Sequence, residues 1–524
     1  MKMLGKLGIS LLALLAFAGI ASAQKWQNIK NEPSFPVGAI ALLTDGTVLL
    51  HEEQDGSPQN WFKLTPDNTG NYINGTITPI ASLPVINGVQ YGPWFFGSEV
   101  LPDGRYIIEG GEYNDGSPAW TPLGAIYDPV KNKWTAVKPP KFFKGFSSQY
   151  PKTIGDAQSI LLPDGTDMQA DCCTKQSALL NAKTLTWTAT GAGKFDINDE
   201  EGWTLLPDGN VLTVDAYVFQ YDATGMNSEI YDTAKGTWSS AGSTVVQLWD
   251  SACGNDSSAT YEVGPAVLRP DGTVYGTGAN TCVKNGAYES GHTAIYNTKT
   301  KKWSAGPDFP TVTVTINNKQ VKEGLDAADA PAALEPDGNV IVMTSYGYGN
   351  NFPAVFFEWN GKKLTKLPPS LNAANDASFY GHFLELPTGQ LLFSDLSPEV
   401  EVFTPKGTYN KAWAPTITSA PASVNVGSTY VIKGTQFSGL SQGGAYGDDF
   451  QDNTNYALVR ITNNASKHVF YAKTTNPSTY AVQTGALAES TNFTVAADTE
   501  LGDSSLVVVT NGIPSAPVSI TVQK

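Results

Sequence analysis

At 524 residues the chain exceeds what one hydrophobic core usually serves, so several domains or a repeat array are expected. Apolar residues make up 41%, ample for burial, while 51 glycines, 33 prolines and no long helix-period stretch favour many short strands over helices. A formal charge of −16 sets the surface against phosphate backbones and anionic lipid; it argues against nucleic acid and membrane partners and leaves neutral sugars, cations or basic partners.

The chain begins with Lys2 and Lys6, an apolar run from Ile9 to Ile20, and the small residues Ala21-Ser22-Ala23. This pattern predicts a signal peptide over residues 1–23, cleaved before Gln24, and an apolar run too short to span a bilayer comfortably. The mature chain is therefore expected to be exported, secreted or held in the periplasm or cell envelope, with no transmembrane segment. Loss of the two lysines takes its charge to −16 − 2 = −18.

A hairpin unit then recurs along the chain. It reads ALLTDGTVLL, EVLPDGRYII, LLPDGTDMQA, LLPDGNVLTV, AVLRPDGTVYGTG, LEPDGNVIVM and LELPTGQLLF, with turns at Asp45, Asp103, Asp164, Asp208, Asp271, Asp337 and Thr388. Apolar runs entering and leaving an Asp-Gly turn are a strong hairpin signal. Most copies continue into a strand pair whose second member opens on a tryptophan, as in Gly124 to Val137, Ser228 to Ala241 and His292 to Gly306. Each repeat thus reads as a four-stranded antiparallel meander, and the turn-to-turn spacing averages near the period of kelch-type blades. One such sheet cannot bury both faces alone, so the sheets must stack, and seven stacked radially close a ring.

The seventh repeat supplies three strands, through PEVEVFTP, before the composition changes. Its missing outer strand is found at the start of the mature chain, where Lys25-Trp26-Gln27-Asn28-Ile29 matches Lys133-Trp134-Thr135-Ala136-Val137. Residues 24–415 are therefore predicted to form a seven-bladed β-propeller, with residues 25–29 closing the last blade. Residues 416–524 lack the repeat and carry alternating runs such as YALVRIT and SSLVVVTNG, which suit a small β-sandwich. Gly439 to Asn455 reads as a long polar insertion within it.

The expected fold class is all-β: a seven-bladed kelch-like propeller followed by an immunoglobulin-like sandwich. The ending LGDSSLVVVTNGIPSAPVSITV resembles TIG-type immunoglobulin-like domains, and the whole arrangement resembles the galactose oxidase family of secreted propellers. That resemblance implies a mononuclear copper held by two tyrosines, one of them crosslinked to a cysteine, and two histidines. At the position implied for the cysteine the chain has Phe95 and Phe96, and at that for the crosslinked tyrosine Gly155 and Asp156. The remaining positions offer Tyr380, His382 and His468 as metal candidates. Histidines without the tyrosinate pair do not make the family's radical centre, so its activity is not transferred, and packing at the join between the two domains is the alternative reading of His382 and His468.

Propeller geometry places the loops between second and third strands, and those between blades, on the face where propellers usually bind. There the sequence puts His51, Glu52, Glu53, Glu109, Glu112, Asp171, Cys172, Cys173, Asp215, Tyr217, Asn280, Tyr346, Tyr348 and Asp395. Of these, Glu52, Glu109, Asp171, Cys172, Cys173, Asp215, Tyr217 and Tyr346 are the ligand-binding candidates. Carboxylates with aromatic rings suit a sugar or a hard cation, and they also suit a rim that is polar because it is wet. Cys253 and Cys282, on loops of one face, are expected to pair; the adjacent Cys172 and Cys173 form either a vicinal disulfide or two partly buried thiols. The expected function is that of a non-catalytic recognition protein binding a glycan or an extracellular protein. The alternatives are a carbohydrate-active or alcohol-oxidising enzyme, a diverged copper protein, and a structural module of the cell envelope.

Overall fold

The structure is a computed structural model that describes residues 24–218, 227–255, 257–451 and 453–524; the predicted signal peptide lies outside the described residues. The described chain is nearly all β, with 3-10 turns as its short helical pieces. Among the described residues the repeats form six four-stranded antiparallel sheets and a seventh to which a short fifth strand is added. In chain order the first strands of these sheets are Val37–Leu42, Gly97–Val100, Ser159–Leu161, Thr204–Leu205, Val263–Leu268, Ala332–Leu334 and His382–Glu385. First strands of neighbouring sheets lie against one another, so these buried strands face a common interior.

The hairpin turns share one backbone solution. In the second sheet Leu101 N–H donates to Arg105 C=O and Gly104 N–H to Leu101 C=O, both at 2.8 Å, which encloses Pro102, Asp103 and Gly104 in a three-residue loop. Proline presets φ after Leu101, the Asp103 carboxylate accepts the Arg105 N–H, and Gly104 takes φ 78°, a left-handed conformation that costs glycine little. The same bond pair recurs at Leu43, Leu162, Leu206, Arg269, Glu335 and Leu386. The Asp-Gly signal therefore encodes a three-residue turn with a glycine bulge, not a two-residue one.

A tryptophan sits at the start of five of the seven outer strands, those of all but the first and sixth sheets. It stacks across the ladder, Trp134 on Tyr127 at 5.1 Å, Trp238 on Tyr231 at 5.4 Å and Trp303 on Tyr296 at 5.2 Å. Its indole N–H also reaches back to the preceding sheet: Trp134 donates to Ala81 C=O, Trp187 to Lys138 C=O and Trp303 to Ser228 Oγ, each at 2.8 Å. Lys25–Asn28 supplies the outer strand of the seventh sheet, pairing with Glu401–Thr404 so that Trp26 faces Phe403. Trp26 packs among Phe356, Phe393 and Phe403 and donates to Pro368 C=O at 3.0 Å, tying the last sheet to the sixth.

Residues from Thr416 onward form a separate nine-stranded sheet system with its own core of Val424, Ile432, Val459, Ile461, Phe493, Leu506 and Val508. The segment read as a polar insertion leaves it and is buried among the other sheets. Gly444–Ala445 is the added strand, paired with Ala332 and Ala333. Gln442 Oε1 accepts from Leu205 N–H at 2.6 Å, Asn453 Nδ2 donates to Glu99 at 2.6 Å, and Thr454 Oγ1 donates to Glu385 at 2.7 Å. Tyr456 hydroxyl donates to Leu42 C=O. Its polarity thus serves buried partners instead of solvent.

Replacing Trp26 by alanine removes a buried indole and its hydrogen bond, and is expected to cost about 3–5 kcal/mol; Trp26→Phe should cost less. Urea unfolding measures both, and an unchanged midpoint for Trp26→Ala would show that this strand does not hold the last sheet.

Candidate functional site

The segments that lead into the first strands converge on a cavity of about 290 Å³. Phe95 comes from the second sheet's lead-in, Asp156 from the third, Glu200 from the fourth, Glu262 from the fifth, Asp329 from the sixth and Phe379 from the seventh. Glu112 and Tyr113 join them from the loop after the second sheet's second strand, and Tyr446, Asp448 and Asp449 from the insertion. Seven carboxylates line the space, with no lysine, arginine or histidine among the lining residues. Phe95, Glu200 and Asp329 hold positive φ of 52°, 59° and 43°, conformations that cost a side-chain-bearing residue on the order of 1–3 kcal/mol and are kept where the surroundings fix them. The insertion approaches closely: a Cβ on Gly447 would lie 2.9 Å from Asp329 Cα.

Crowding dominates the electrostatics. Burial, reinforced by Asp329 and Asp199, pushes the Glu112 carboxyl up to about 7, and burial raises Asp199 and Asp329 to about 6. Asp156, Glu200, Glu262, Asp448 and Asp449 are driven well above the ordinary range, by burial first and by neighbouring carboxylates second.

A vicinal disulfide lies one residue away from the cavity's Asp156, against Gly155. Cys172 is bonded to Cys173 and Cys253 to Cys282. The Cys172 sulfur lies so near Gly155, the neighbour of Asp156, that a Cβ there would stand 2.4 Å from it and 3.2 Å from Trp120. Trp120 in turn packs edge-on against Tyr150 at 5.0 Å and Phe146 at 5.6 Å, and Phe146 is half exposed. A larger cleft of about 560 Å³ between the third and fourth sheets has one aromatic ring, Phe142, and no carboxylate in its lining.

The sequence-predicted residues fall into several places. Cys172 and Cys173 pack behind Gly155 and do not line the cavity, and Asp171, held by Thr153 and Thr174 hydroxyls at 2.6 and 2.8 Å, is buried next to them. Tyr217 stacks on Tyr261 at 4.3 Å and hydrogen-bonds Asp199 beside the disulfide. Asp215 is taken up elsewhere: Lys194 Nζ lies 3.6 Å from it, 2.5 Å from Asp196, and 2.8 Å from both Glu201 and Glu229, all buried. Glu109 is buried against Asp167 of the next sheet. Glu52 accepts from Asn60 at 3.1 Å, and Tyr346 packs on Tyr288 at 6.1 Å. Neither residue lines the cavity.

Tyr380, His382 and His468 are not brought together as a ligand set. His382 is buried with its ring 4.5 Å from Phe450 and 5.3 Å from Tyr446, and burial lowers its pKa to about 3. Both ring nitrogens of His468 are engaged, by Glu500 at 2.6 Å and Asn68 at 2.9 Å. Tyr380 lies in the turn Ser378–Tyr380 with its ring against Phe379 at 4.4 Å. With Phe95 and Asp156 where the resemblance implies sulfur and phenol, these residues do not fit the copper radical centre. Sequence reasoning had Glu112 and passed over Asp156, Glu200, Glu262, Asp329, Asp448 and Asp449 as binding residues. The available signal was an acidic residue one to four positions before each of four successive first strands.

No protein-family model matches the chain, and no curated protein matches it. Solved structures do. They include a fungal alcohol oxidase of the AA5 family in complex with copper, 13% identical over 96% of this chain and 100% of that one, with a TM-score of 0.48. Virginiamycin B lyase from Staphylococcus aureus is 9% identical over 73% of this chain and 99% of its own, with a TM-score of 0.42. YjhT is 12% identical over 72% and 95%, with a TM-score of 0.34.

Glu109 and Asp167 share a hydrogen bond that requires a proton on one of them; burial raises both, Asp167 to about 7, and Glu99 adds a third buried carboxyl nearby. The unfolded chain releases these protons near pH 4, the folded one near 7 or above, so the folded state binds more protons in between and loses stability as pH rises. Glu109→Gln should therefore gain thermal stability relative to wild type between pH 5 and 8, read as melting temperature against pH. Parallel profiles would refute the shared proton.

Proposed function

We propose that this chain is an exported recognition protein in which residues 24–415 form a seven-bladed kelch-like propeller and residues 416–524 an immunoglobulin-like domain. The mouth of the propeller's channel binds a glycan. One observation supports this reading: behind Asp156 of the acidic cavity, at Gly155, pack the Cys172–Cys173 disulfide and Trp120, whose ring meets Phe146 and Tyr150. Carboxylates accept from sugar hydroxyls, and the CH face of a pyranose ring stacks on aromatic and disulfide surfaces. Pairing of Cys253 with Cys282 suits an oxidising compartment and fixes a rim loop. A diverged alcohol oxidase is the second reading, favoured because the cavity is lined by Phe95, Asp156 and Phe379, which stand at or beside positions to which the resemblance assigned the copper ligands.

Glycan-array screening of the mature protein tests the first reading, followed by calorimetry on the best sugar. Trp120→Ala, on the half-buried rim, should weaken binding about tenfold, in line with loss of one stacking ring at about 0.5–1.5 kcal/mol, with unchanged circular dichroism. A blank array with capture of a defined extracellular protein would replace the glycan by a protein partner. Stoichiometric copper with peroxide release from alcohols would replace recognition by oxidation.

A further inference from the structure

The carboxylates of the cavity are arranged as ligands as well as crowded. One oxygen from each of Asp156, Glu200 and Asp448 lies within 4.8 Å of the others, and the same holds for Glu200, Glu262 and Asp329. Oxygens this close can all reach one ion about 2.4 Å from each, the distance calcium takes from its ligands. Glu200 belongs to both triads and stands between them.

Two further observations point outward, to a cation the protein does not itself supply. Asp156 Oδ1 and Asp449 Oδ2 have no hydrogen-bond partner, although Asp156 is 7% exposed and Asp449 0%. Glu262 Oε2 and Asp329 Oδ1 are likewise unpartnered. A buried carboxylate oxygen without a donor loses its hydration and gains nothing in return. The same molecule shows how such a cluster looks when solved internally: Asp196, Glu201, Asp215 and Glu229 surround the ammonium of Lys194. Nothing equivalent reaches the cavity, whose lining has no basic side chain.

We propose that the cavity is a hard divalent-cation centre of the calcium class, held by Asp156, Glu200 and Asp448 on one side and by Glu200, Glu262 and Asp329 on the other. The all-oxygen ligand set selects calcium over zinc or copper, which prefer nitrogen and sulfur. The ligands come from four successive sheets and the insertion, so a bound ion joins elements that no local sequence connects. The proposal goes beyond the glycan reading and is tested without any sugar.

The mature protein, stripped with EDTA and dialysed into sugar-free buffer, is titrated with calcium chloride by calorimetry and with terbium by sensitised luminescence, for which Tyr113 and Tyr446 are donors in the cavity lining. Saturable binding of one or two ions per chain is expected, with calcium displacing terbium. Glu200→Gln should weaken it about tenfold or more, since it removes charge from both triads, and Asp448→Asn should weaken it from a different element. Glu52→Gln, outside the cavity, should bind as wild type. Circular dichroism and melting in EDTA establish that each variant is folded; should Glu200→Gln not fold, Asp448→Asn and Glu262→Gln carry the comparison. Absence of saturable binding by wild type, or wild-type affinity in the folded cavity variants, overturns the proposal.

Discussion

The ladder between Lys25–Asn28 and Glu401–Thr404 is the contact on which the other arrangements depend. It joins the first described strand to the last strand of the repeats, so the seven sheets are fastened across nearly the full length of the repeat region. Without it the last sheet would present an unpaired edge where Phe403, Phe356 and Phe393 now enclose Trp26. The cavity inherits this dependence, because its residues come from lead-ins of successive sheets and each lead-in is placed by its neighbours. A site made of single residues from many sheets has no geometry of its own; it has the geometry of the stacking.

Within that frame the molecule meets the cost of buried acid in three ways. Lys194 places one ammonium among four carboxylates, within 2.8 Å of three and 3.6 Å from the fourth, and so offsets part of their charge directly, while burial raises Glu201 and Asp215. Glu109 and Asp167 keep a proton, which replaces a like-charge repulsion by a hydrogen bond. Glu385 and Glu99 each accept on one oxygen from amides or a hydroxyl, through Asn453 and Thr454 of the insertion and Asn511 of the C-terminal sheet system. The carboxylates of the cavity have no basic side chain among the lining residues, and Glu262 shares carboxyl hydrogen bonds with Glu200 and Asp329 as Glu109 does with Asp167.

The repeat was legible because its signals are local. Asp-Gly turns, the alternation around them and the tryptophan of the outer strand each act within a few residues, and the match of Trp26 to Trp134 needed only that pattern repeated. Asp215 and Glu109 were read as rim residues because they end or follow second strands, yet both turn into the protein, where Lys194 and Asp167 meet them. Nothing in their own segments announces those partners. The acidic lead-ins escaped notice for a related reason: Glu262 directly precedes its strand, Asp156 and Asp329 stand three positions before theirs and Glu200 four, so no fixed spacing marks them. Only the convergence of the sheets makes Asp156, Glu200, Glu262 and Asp329 one group.

The insertion between Phe437 and Tyr456 shows where composition misleads. Its glycines, amides and acids resemble a solvated loop, and the usual inference from polarity to exposure fails because the surface it meets is itself polar. Leu205 N–H, Glu99 and Glu385 are buried groups that an apolar segment would leave unpaired, so the sequence that fills this interior has to be hydrophilic. Glycine is required where the fit is tightest, as at Gly443, whose Cβ would stand 2.4 Å from Thr454 Oγ1 and 2.7 Å from Glu385 Oε2. Anchored at Gln442, Asn453 and Thr454, the segment carries Asp448 and Asp449 to the cavity as part of its packing. The C-terminal part of the chain therefore completes the site, and Asp448 and Asp449 reach the cavity on a segment anchored on both sides of them.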